Sequence, residues 1–459
     1  MGKKRSEVTR RRFLKHSVAG GAALGLASSS VAASRRILGA SNRVRLGFIG
    51  VGNRGTQLLR ACLQIPNVEV AALCDVYEPY LLRDRSKVDK KLVRALGRRV
   101  PEMSEPLDKS LSRYKDFRQL LDRKDIDAVV IATPDHWHAL QTILACEAGK
   151  DVYVEKPLSM TITEGRKMVE AARRHKRVVQ VGLQRRSSKV YRELSEMMQQ
   201  GKIGRITVAR AYRISNMCPD GIGKAPETDP PEGLDWNMWL GPRAWRPYRD
   251  NITPYKFRWW KQYSSQVGNW GVHYFDAIRW MLGEEGPISV SAHGGKFAVD
   301  DDRTIPDTLE VVFEFASGKL VIFGQYEASG GAAVGSGEIE LRGSQANLYC
   351  SASGYRIVPS KGGQFQDPKL RADPVEVRDV QEDPTANHIR NFLQCVTTRN
   401  LCHCDLETGH RSNTFALLAN IALETRSRID WDPKTERITN NEAANQLLHY
   451  EYRAPWQFA

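Results

Sequence analysis

Two patterns of apolar and polar residues divide the chain. From residue 42 to 183, short apolar runs alternate with longer segments of helical periodicity, which is typical of parallel βαβ units. The predicted strands span residues 45–49, 68–74, 126–132, 152–154 and 178–181, and the predicted helices that follow them include 117–121, 139–147 and 163–175. The charged segment 75–114, broken by Pro101 and Pro106, is predicted to be an insertion on the sheet surface.

After residue 183 helices become sparse. A helix at 189–200, a strand at 206–213 and a Pro/Gly/Trp-rich loop at 218–263 precede a helix at 273–282 and extended runs at 288–292, 308–315, 320–326 and 338–341. Consecutive strands with few helices between them indicate an antiparallel sheet. We therefore predict an α/β protein with a doubly wound Rossmann domain (42–183) and an α+β domain (184–459) containing a large, mostly antiparallel open sheet. Helices at 386–397 and 410–425 are expected to return to the first domain.

Three glycines follow the first predicted strand in the pattern Gly50-x-Gly52-x-x-Gly55. In a strand–turn–helix context, Gly50 permits the tight turn, Gly52 lets the backbone approach a pyrophosphate, and Gly55 lets the helix pack on the strand. The second strand ends in Asp75, where a carboxylate accepts hydrogen bonds from ribose hydroxyls and repels a 2′-phosphate. The pattern predicts bound NAD rather than NADP.

Polar clusters follow three later strands, at the sheet edge where ligands of open α/β sheets bind. They are Thr133-Pro134-Asp135-His136-Trp137-His138, Glu155-Lys156-Pro157 and Gly182-Leu183-Gln184-Arg185-Arg186. Some of these residues are alternatively helix caps or turns. Lys156 stands at a strand end beside the predicted cofactor, where an ammonium of lowered pKa can polarise a substrate hydroxyl.

These motifs resemble the Gfo/Idh/MocA family of oxidoreductases, over nearly all of residues 44–431. The markers are the glycine motif, Asp75, the Thr-Pro-x-x-x-His of residues 133–138, Glu155-Lys156-Pro157 and the segment Gly268-Asn269-Trp270-Gly271-Val272-His273-Tyr274-Phe275-Asp276. The resemblance implies a two-domain NAD-dependent enzyme in which Lys156 and His273 lie in the active site and Asp276 binds substrate. The predicted catalytic residues are therefore Lys156, His273 and Asp276.

The chain departs from the family pattern at Asn269, where many members have an Asp that partners the histidine. We expect His273 to be less basic without that charge, unless a carboxylate such as Asp276 supports it. The alternative for His273 is a polar residue on the outer face of a helix, which is disfavoured because residues 269–271 look like a loop. The remaining predicted cofactor contacts are Asn53, Arg54, Thr133, Pro134, His138 and Glu155.

Six tryptophans between residues 236 and 270 are interspersed with Arg and Lys. Aromatic faces stack on sugar rings and guanidinium groups bind hydroxyls or carboxylates, so this segment predicts a carbohydrate site. Alternatively, some of these rings pack a long loop onto the protein core. The predicted substrate contacts are Gln184, Arg185, Asn269 and Trp270.

No metal site is predicted. Cys402-His403-Cys404 lacks zinc-site spacing, and His136 with His138 supplies only two ligands, which favours a place at the edge of the cofactor. His410 is expected either to reach the same cleft or to cap its helix. The eight cysteines are not spaced as a disulfide framework.

The N-terminus carries Thr9-Arg10-Arg11-Arg12-Phe13-Leu14-Lys15, a short apolar run and small residues up to Ala33, which resembles a twin-arginine export signal over residues 1–33. We expect export by that machinery to the periplasm or another extracytoplasmic space, without stable membrane insertion. Cutting after Ala33 removes seven Lys/Arg and one Glu from a chain of net charge +15. The remaining positive charge is scattered, which disfavours nucleic-acid binding.

Three functions remain open. The first is NAD-dependent transfer of hydride from a secondary alcohol of a sugar, glycoside or polyol. The second is a redox-neutral NAD-dependent glycosidase that oxidises, eliminates and re-reduces its sugar, and the third is a sugar-binding protein without catalysis. An exported enzyme should retain its NAD tightly, covered by the insertion at 83–106 or the arm at 35–42. The open sheet face predicts a homo-oligomer, either a dimer or a tetramer.

Overall fold

A computed structural model describes residues 43–108, 110–333, 337–365, 367 and 369–457. The predicted export signal and the arm at 35–42 lie outside the described residues. None of the helices within the described part of the chain is long and apolar enough to cross a bilayer.

The first sheet is parallel and is buried on both faces, as its continuous apolar runs predict. Its strands are β1 (Val44–Ile49), β2 (Val68–Cys74), β3 (Ser112–Tyr114), β4 (Ala128–Ile131), β5 (Asp151–Val154) and β6 (Val179–Val181), in the spatial order β3-β2-β1-β4-β5-β6. Helices α1 (Asn53–Leu63), α4 (Phe117–Leu121), α5 (Asp135–Glu147) and α6 (Ile162–Arg174) connect them. This arrangement confirms the predicted Rossmann fold.

The insertion between β2 and β4 has more structure than the sequence predicted. It contains α2 (Glu78–Leu82) and α3 (Lys90–Leu96), and its last residues form β3, which adds to the edge of the sheet beside β2. The edge strand was missed because its three residues, Ser-Arg-Tyr, carry no apolar run.

The second sheet is mostly antiparallel, as predicted. Its strands are β7 (Ile206–Ile214), β8 (Ser289–Gly295), β9 (Thr308–Glu314), β10 (Leu320–Tyr326), β11 (Ile339–Gly343), β12 (Ala346–Ser351), β13 (Gly354–Pro359), β14 (Val375–Val377), β15 (Ile429–Asp432) and β16 (Arg437–Ile438). Among the described strands of this second sheet, only β7 and β10 pair in parallel. Strands β12 to β14 extend this sheet beyond the sequence prediction.

Helices cover one face of the second sheet. They are α7 (Lys189–Gln199), α9 (Val272–Leu282) and α11 (Leu406–Thr425), whereas α10 (Pro384–Thr398) and the shorter α8 (Trp236–Leu240) and α12 (Glu442–Asn445) lie elsewhere. Phe275 of α9 packs between Phe313 of β9 and Phe415 of α11, with ring centroids 5.0 and 5.5 Å away. Helix α10 instead packs on the first sheet, since Ile389 and Phe392 join the core around β1.

The segment before His273 is helical rather than a loop. Residues Val267–Gly271 form a π-helical turn that continues directly into α9. A π turn inserts an extra residue and changes the direction of the side chains around it, and such turns are frequent at functional sites. Asn269 and His273 are thereby presented from consecutive turns to the same cavity.

Candidate active site

The glycine loop has the geometry that the motif predicts. Gly50 has φ +86°, and a Cβ there would lie 2.8 Å from the carbonyl carbon of Ala132. A Cβ on Gly55 would lie 2.0 Å from the carbonyl oxygen of Gly50, so the close packing of α1 on β1 requires glycine. Helix α1 begins directly after Gly52, so the N–H groups of its first turn lie next to the glycine loop. This cradle fits a pyrophosphate.

Asp75 joins the end of β2 to the glycine loop. Its carboxylate accepts hydrogen bonds from the backbone N–H groups of Val51, at 2.8 Å, and Tyr77, at 2.9 Å. Burial raises the pKa of Asp75, while those two donors and the charge of Arg83 oppose the shift. The residue borders the same cleft as the glycines, which is where the ribose of a dinucleotide would lie.

A cavity of about 260 Å³ runs from the glycine loop across the strand ends to α9. Most of the predicted site residues line it. They are Gly50, Gly52, Asn53, Arg54, Asp75, Thr133, Pro134, Glu155, Lys156, Asn269, Trp270 and His273. The two domains thus meet in a single cleft with the glycine loop at one end and Lys156 at the other.

Lys156 is held by Asn269. Its Nζ donates hydrogen bonds to the backbone oxygen and to the side-chain Oδ1 of Asn269, each at 2.9 Å. Burial lowers the pKa of Lys156 to about 8, with Glu155 opposing and Arg258 adding to the shift. Because both acceptors are neutral, the ammonium receives hydrogen bonds but no full counter-charge from Asn269. The amine can therefore exchange a proton near neutral pH.

A chain of hydrogen bonds fixes the orientation of the Asn269 amide. Glu327 accepts from Nη1 of Arg303 at 2.6 Å and from Nε2 of Gln266 at 2.9 Å. Since a carboxylate only accepts, Gln266 must turn its oxygen toward Asn269, and that oxygen accepts from Nδ2 of Asn269 at 3.2 Å. Oδ1 of Asn269 is then the atom left to face Lys156.

His273 lies beside Lys156 as a neutral imidazole. Burial lowers its pKa well below the ordinary histidine value, and the charges of Lys156, Arg185 and Arg54 lower it further. Nδ1 is buried and has no hydrogen-bond partner among the described residues. The lowered pKa of His273 agrees with the expected loss of basicity. Its main cause, however, is burial and not the replacement of an aspartate by Asn269.

Glu155 pairs with Arg54 across the cleft, Oε1 accepting from Nε at 2.7 Å. Burial alone would raise the pKa of Glu155, but Arg54 and Lys156 outweigh it and lower the pKa. The pair connects the first turn of α1 to the residue before Lys156. It therefore fixes the position of Lys156 relative to the glycine loop.

The structure places Asp276 away from the cavity, which corrects its predicted catalytic role. Its carboxylate is buried against Arg186, at 2.9 Å, and accepts from the Ser412 hydroxyl at 2.7 Å. Nε of Arg186 donates to both carboxylate oxygens, at 2.9 and 3.0 Å, and Asp276 does not line the cavity. Asp276 braces α9 against α11 and does not support His273.

Gln184 and Arg185 are also outside the cavity lining, contrary to the predicted substrate contacts. Arg185 pairs with Glu338 at 2.6 Å and stacks on Tyr191 and Tyr274. It acts on the site only through its charge, which lowers the pKa of His273. Both residues lie in a 3₁₀ turn behind α9 rather than beside the cofactor.

The histidines after β4 are structural. Nδ1 of His138 lies 2.7 Å from the Pro157 oxygen and Nε2 lies 2.9 Å from the Thr133 oxygen, so the ring ties two loops together behind the cleft. His136 is fully buried against the Trp239 oxygen, and burial lowers its pKa to about 3. His410 pairs with Glu436 at 2.8 Å and neither caps α11 nor lines the cleft.

The tryptophans divide between the two predicted roles. Trp239 and Trp270 line the cavity, and Trp239 also belongs with Trp236 and Trp260 to the aromatic core that holds the 218–263 loop. Trp245 is 63% exposed. The same loop brings Tyr248, Tyr255, Phe257 and Arg258 over the cleft.

Sequence reasoning missed Arg258, Gln266 and Glu327. Arg258 appeared only as one of several cations among the tryptophans. Gln266 and Glu327 are 61 residues apart and belong to no motif. For Gln266 the sequence did contain a signal. Gln266 precedes Asn269 by three residues, and the two side chains meet across one helical turn.

The sequence matches the Gfo/Idh/MocA family in both parts. Residues 44–183 match the "Oxidoreductase family, NAD-binding Rossmann fold", and residues 211–351 and 355–458 match the "Oxidoreductase family, C-terminal alpha/beta domain". Together these segments account for most of the chain.

Curated relatives align over shorter segments. A glycosyl hydrolase family 109 protein of Shewanella baltica is 33% identical over 184 residues, which is 36% of this chain and 37% of that protein. An alpha-N-acetylgalactosaminidase of Shewanella oneidensis is 35% identical over 131 residues, 28% of this chain and 26% of that protein. The chain thus spans about a quarter to two fifths of the length of the curated relatives it matches.

Solved structures share the whole architecture at low identity. Levoglucosan dehydrogenase in complex with NADH superposes with a TM-score of 0.62 at 17% identity, covering 84% of this chain and 99% of that one. Aldose-aldose oxidoreductase from Caulobacter crescentus gives 0.58 at 16% identity, with the same two coverages. These likenesses show the fold, and the sequence matches show the lineage. The chain belongs to the Gfo/Idh/MocA family of NAD-binding oxidoreductases.

Proposed function

We propose that this protein is an NAD-dependent oxidoreductase acting on a secondary alcohol of a sugar, glycoside or polyol. The observation that carries the proposal is Lys156, held at 2.9 Å by both oxygens of Asn269 beside neutral His273, at the end of a cleft that begins at the glycine loop. The resemblance to sugar oxidoreductases in fold supports the substrate class.

The glycine loop, the N-terminus of α1 and Asp75 would hold the dinucleotide, which supplies the hydride acceptor when bound. Lys156, with its pKa near 8, accepts the hydroxyl proton as the C–H bond breaks, and returns it in the reverse direction. His273 offers an uncharged imidazole to the same oxygen and orients it. The two carboxylate oxygens of Asp75 favour NAD over NADP, because a 2′-phosphate there meets a like charge.

Replacing Lys156 by Met tests the proposal. Turnover should fall by about 10²- to 10⁴-fold because the proton has no acceptor of suitable pKa. Binding of NADH, followed by its fluorescence, should be unchanged since the glycine loop is intact. Full activity in the variant would exclude the mechanism, and tight sugar binding without turnover in the wild type would favour a non-catalytic protein.

A second candidate is the redox-neutral glycosidase, and the glycosidase names of the curated relatives favour it. In that reaction the sugar is oxidised at C3, the acidified C2 proton is removed, the aglycone leaves C1, water adds, and the carbonyl is reduced again. Solvent deuterium at C2 with released aglycone and no net NADH would identify it. Stoichiometric NADH would identify simple dehydrogenation.

We further propose that the protein is exported folded and retains its cofactor. The twin-arginine pattern at residues 10–15 motivates export, and contacts of the insertion with the glycine loop support retention. Arg83 donates to the Val51 oxygen at 2.8 Å, and Asn53 donates to the Arg99 oxygen at 3.0 Å. Protein that emerges from desalting without nucleotide, and works only with added NAD, would contradict retention.

A further inference from the structure

Arg258 stands in the cleft without an acidic partner. Its Nη1 donates to the Tyr255 oxygen at 2.9 Å, and its guanidinium lies over the rings of Tyr255 and Phe257, at 4.2 and 4.5 Å from their centroids. Within the described residues it forms no ion pair. Arg54, which also lines the cleft, instead forms an ion pair with Glu155.

Two more unmatched guanidinium groups lie nearby. Arg99 lies over the Tyr255 ring at 4.4 Å, and Arg213 lies over the Trp270 ring at 3.9 Å. Neither pairs with an acid in the part of the chain that the structure describes. Burial lowers the pKa of Arg99, and repulsion from Arg258 and Arg213 lowers it further, so the three charges are close enough to oppose each other.

Of these three arginines, Arg258 lies at the reacting end of the cleft. Arg258 lines the cavity with Lys156, Trp270 and His273, and its charge lowers the pKa of Lys156. Two carboxylates, Asp135 and Glu155, act on Arg258 electrostatically, but neither forms an ion pair with it among the described residues. Glu155 pairs with Arg54, and Asp135 accepts a hydrogen bond from the Ser264 hydroxyl.

Like charges gathered in a low-dielectric cleft cost free energy unless an anion joins them. The pyrophosphate of a dinucleotide has its own cradle at the glycine loop, which the backbone of Arg99 contacts through Asn53, whereas Arg258 lines the cleft with Lys156 and His273. A planar guanidinium held by stacking, with donors left over, matches a carboxylate in bidentate geometry.

We propose that the substrate is an acidic sugar, a uronate or aldonate or a glycoside of one, whose carboxylate binds Arg258. Arg99 and Arg213, which lie over the cleft-lining rings of Tyr255 and Trp270, add to the positive field, while the alcohol to be oxidised faces Lys156. The inference rests on the proposed oxidoreductase function and adds the charge of its substrate.

The test compares methyl glucuronide with methyl glucoside, which differ in the carboxylate. Binding is measured by quenching of tryptophan fluorescence, since Trp239 and Trp270 line the cleft, and turnover is measured separately as NADH formed. The wild type should bind the glucuronide about tenfold to hundredfold more tightly. Gluconate and gluconamide form a second matched pair for the aldonate class.

Arg258→Gln should remove most of this binding preference by weakening binding of the acidic sugar, with little change in binding of the neutral sugar. Turnover is compared separately, because the charge of Arg258 also lowers the pKa of Lys156. Arg246→Gln is the matched control, because Arg246 also lies over a ring, that of Trp260 at 4.4 Å, but does not line the cleft. The control should keep the preference. A melting temperature for each variant separates loss of fold from loss of the carboxylate contact.

The proposal of an acidic substrate is overturned if the wild type binds the acidic and the neutral sugar of each pair equally tightly. It is also overturned if Arg258→Gln weakens binding of both sugars equally. NADH formed from the neutral sugar in that case leaves the oxidoreductase proposal intact. Conversely, an Arg258-dependent preference for the acidic sugar without any turnover supports the carboxylate site and contradicts the proposed oxidation.

Discussion

The acid–base behaviour of Lys156 depends on the neutrality of Asn269. Replacing Asn269 by Asp should raise the pKa of Lys156 by about one to three units, because a carboxylate at hydrogen-bond distance favours the ammonium. The wild type should oxidise its substrate faster as pH rises through about 8, since the neutral amine is the proton acceptor. In the variant the same rise should appear at higher pH, with activity at neutral pH reduced.

The measurement is kcat/KM for oxidation as a function of pH. Asn237→Asp is the control, because it adds the same charge at an exposed position of α8. Its profile should match the wild type. An unchanged midpoint in Asn269→Asp would show that Lys156 is not the titrating group.

The hydrogen-bond chain behind Asn269 provides a second prediction. Gln266→Leu removes the link between Glu327 and Asn269, so the Asn269 amide is free to turn its NH₂ toward the Lys156 ammonium. We expect kcat to fall about tenfold, the cost of one misplaced hydrogen bond to a charged group, and the pH midpoint to shift. NADH binding should be unaffected.

Trp259→Phe is the matched control for Gln266→Leu. Nε1 of Trp259 also donates to Glu327, at 2.9 Å, but on a branch that does not lead to Asn269. A fall in kcat of equal size in both variants, without a pH shift in either, would indicate that Glu327 only stabilises the fold.

At this scale the sequence predicted Lys156, His273 and the glycine loop because each belongs to a local motif with a known geometry. It did not predict the partners. Asp276 lies three residues after His273, yet its carboxylate pairs with the buried side chain of Arg186 on another element. Gln266 and Glu327 meet only when β10 ends beside the π-helical turn. Such pairings depend on tertiary contacts that no local pattern encodes.

Among the elements, the insertion between β2 and β4 has the most direct consequence for the cofactor. Arg83, just after α2, donates to the Val51 oxygen and to the Thr56 hydroxyl, at 2.8 and 3.0 Å, and pairs with Glu105. One buried guanidinium thus ties the insertion to the glycine loop. The apolar side chains of Tyr80 and Leu92 then border the cleft.

Arg83→Met should loosen this cover and speed NAD release about tenfold, the effect of losing one charged hydrogen bond. The nucleotide content of desalted protein and the dissociation rate of NADH measure it. Arg85→Met is the control, since Arg85 forms a surface ion pair with Glu102 in the same insertion. Equal nucleotide content in Arg83→Met and wild type would argue that the insertion does not retain the cofactor.

The missed elements share a physical cause. Strand β3 is short and polar, β12 and β13 are joined by a turn of only two residues, and β14 has only three residues, so none of them gives a long periodic signal. The π-helical turn before α9 contains two glycines and reads as a loop. Long apolar strands and amphipathic helices were predicted because burial on a sheet determines their pattern.

For the whole molecule, the second sheet has one face covered by helices and one that faces outward. Val311, Phe313, Val321 and Phe323 point into the helical side and are buried. Their neighbours point the other way, and Ile322 pairs there with Val312, which is 39% exposed. A broad sheet face with apolar positions at its centre is typical of an interface between copies of a chain.

We predict that the protein is a dimer or tetramer joined through this face. Ile322→Lys should convert it to a monomer, because a buried unpaired ammonium at the centre of an interface costs several kcal/mol. The same lysine is solvated in the free monomer, so the melting transition of the domain should persist. Light scattering coupled to size exclusion measures the mass, and Leu401→Lys, at a position 83% exposed on the loop after α10, is the control. A monomeric wild type, or an oligomer that survives Ile322→Lys unchanged, would show that this face is exposed to solvent.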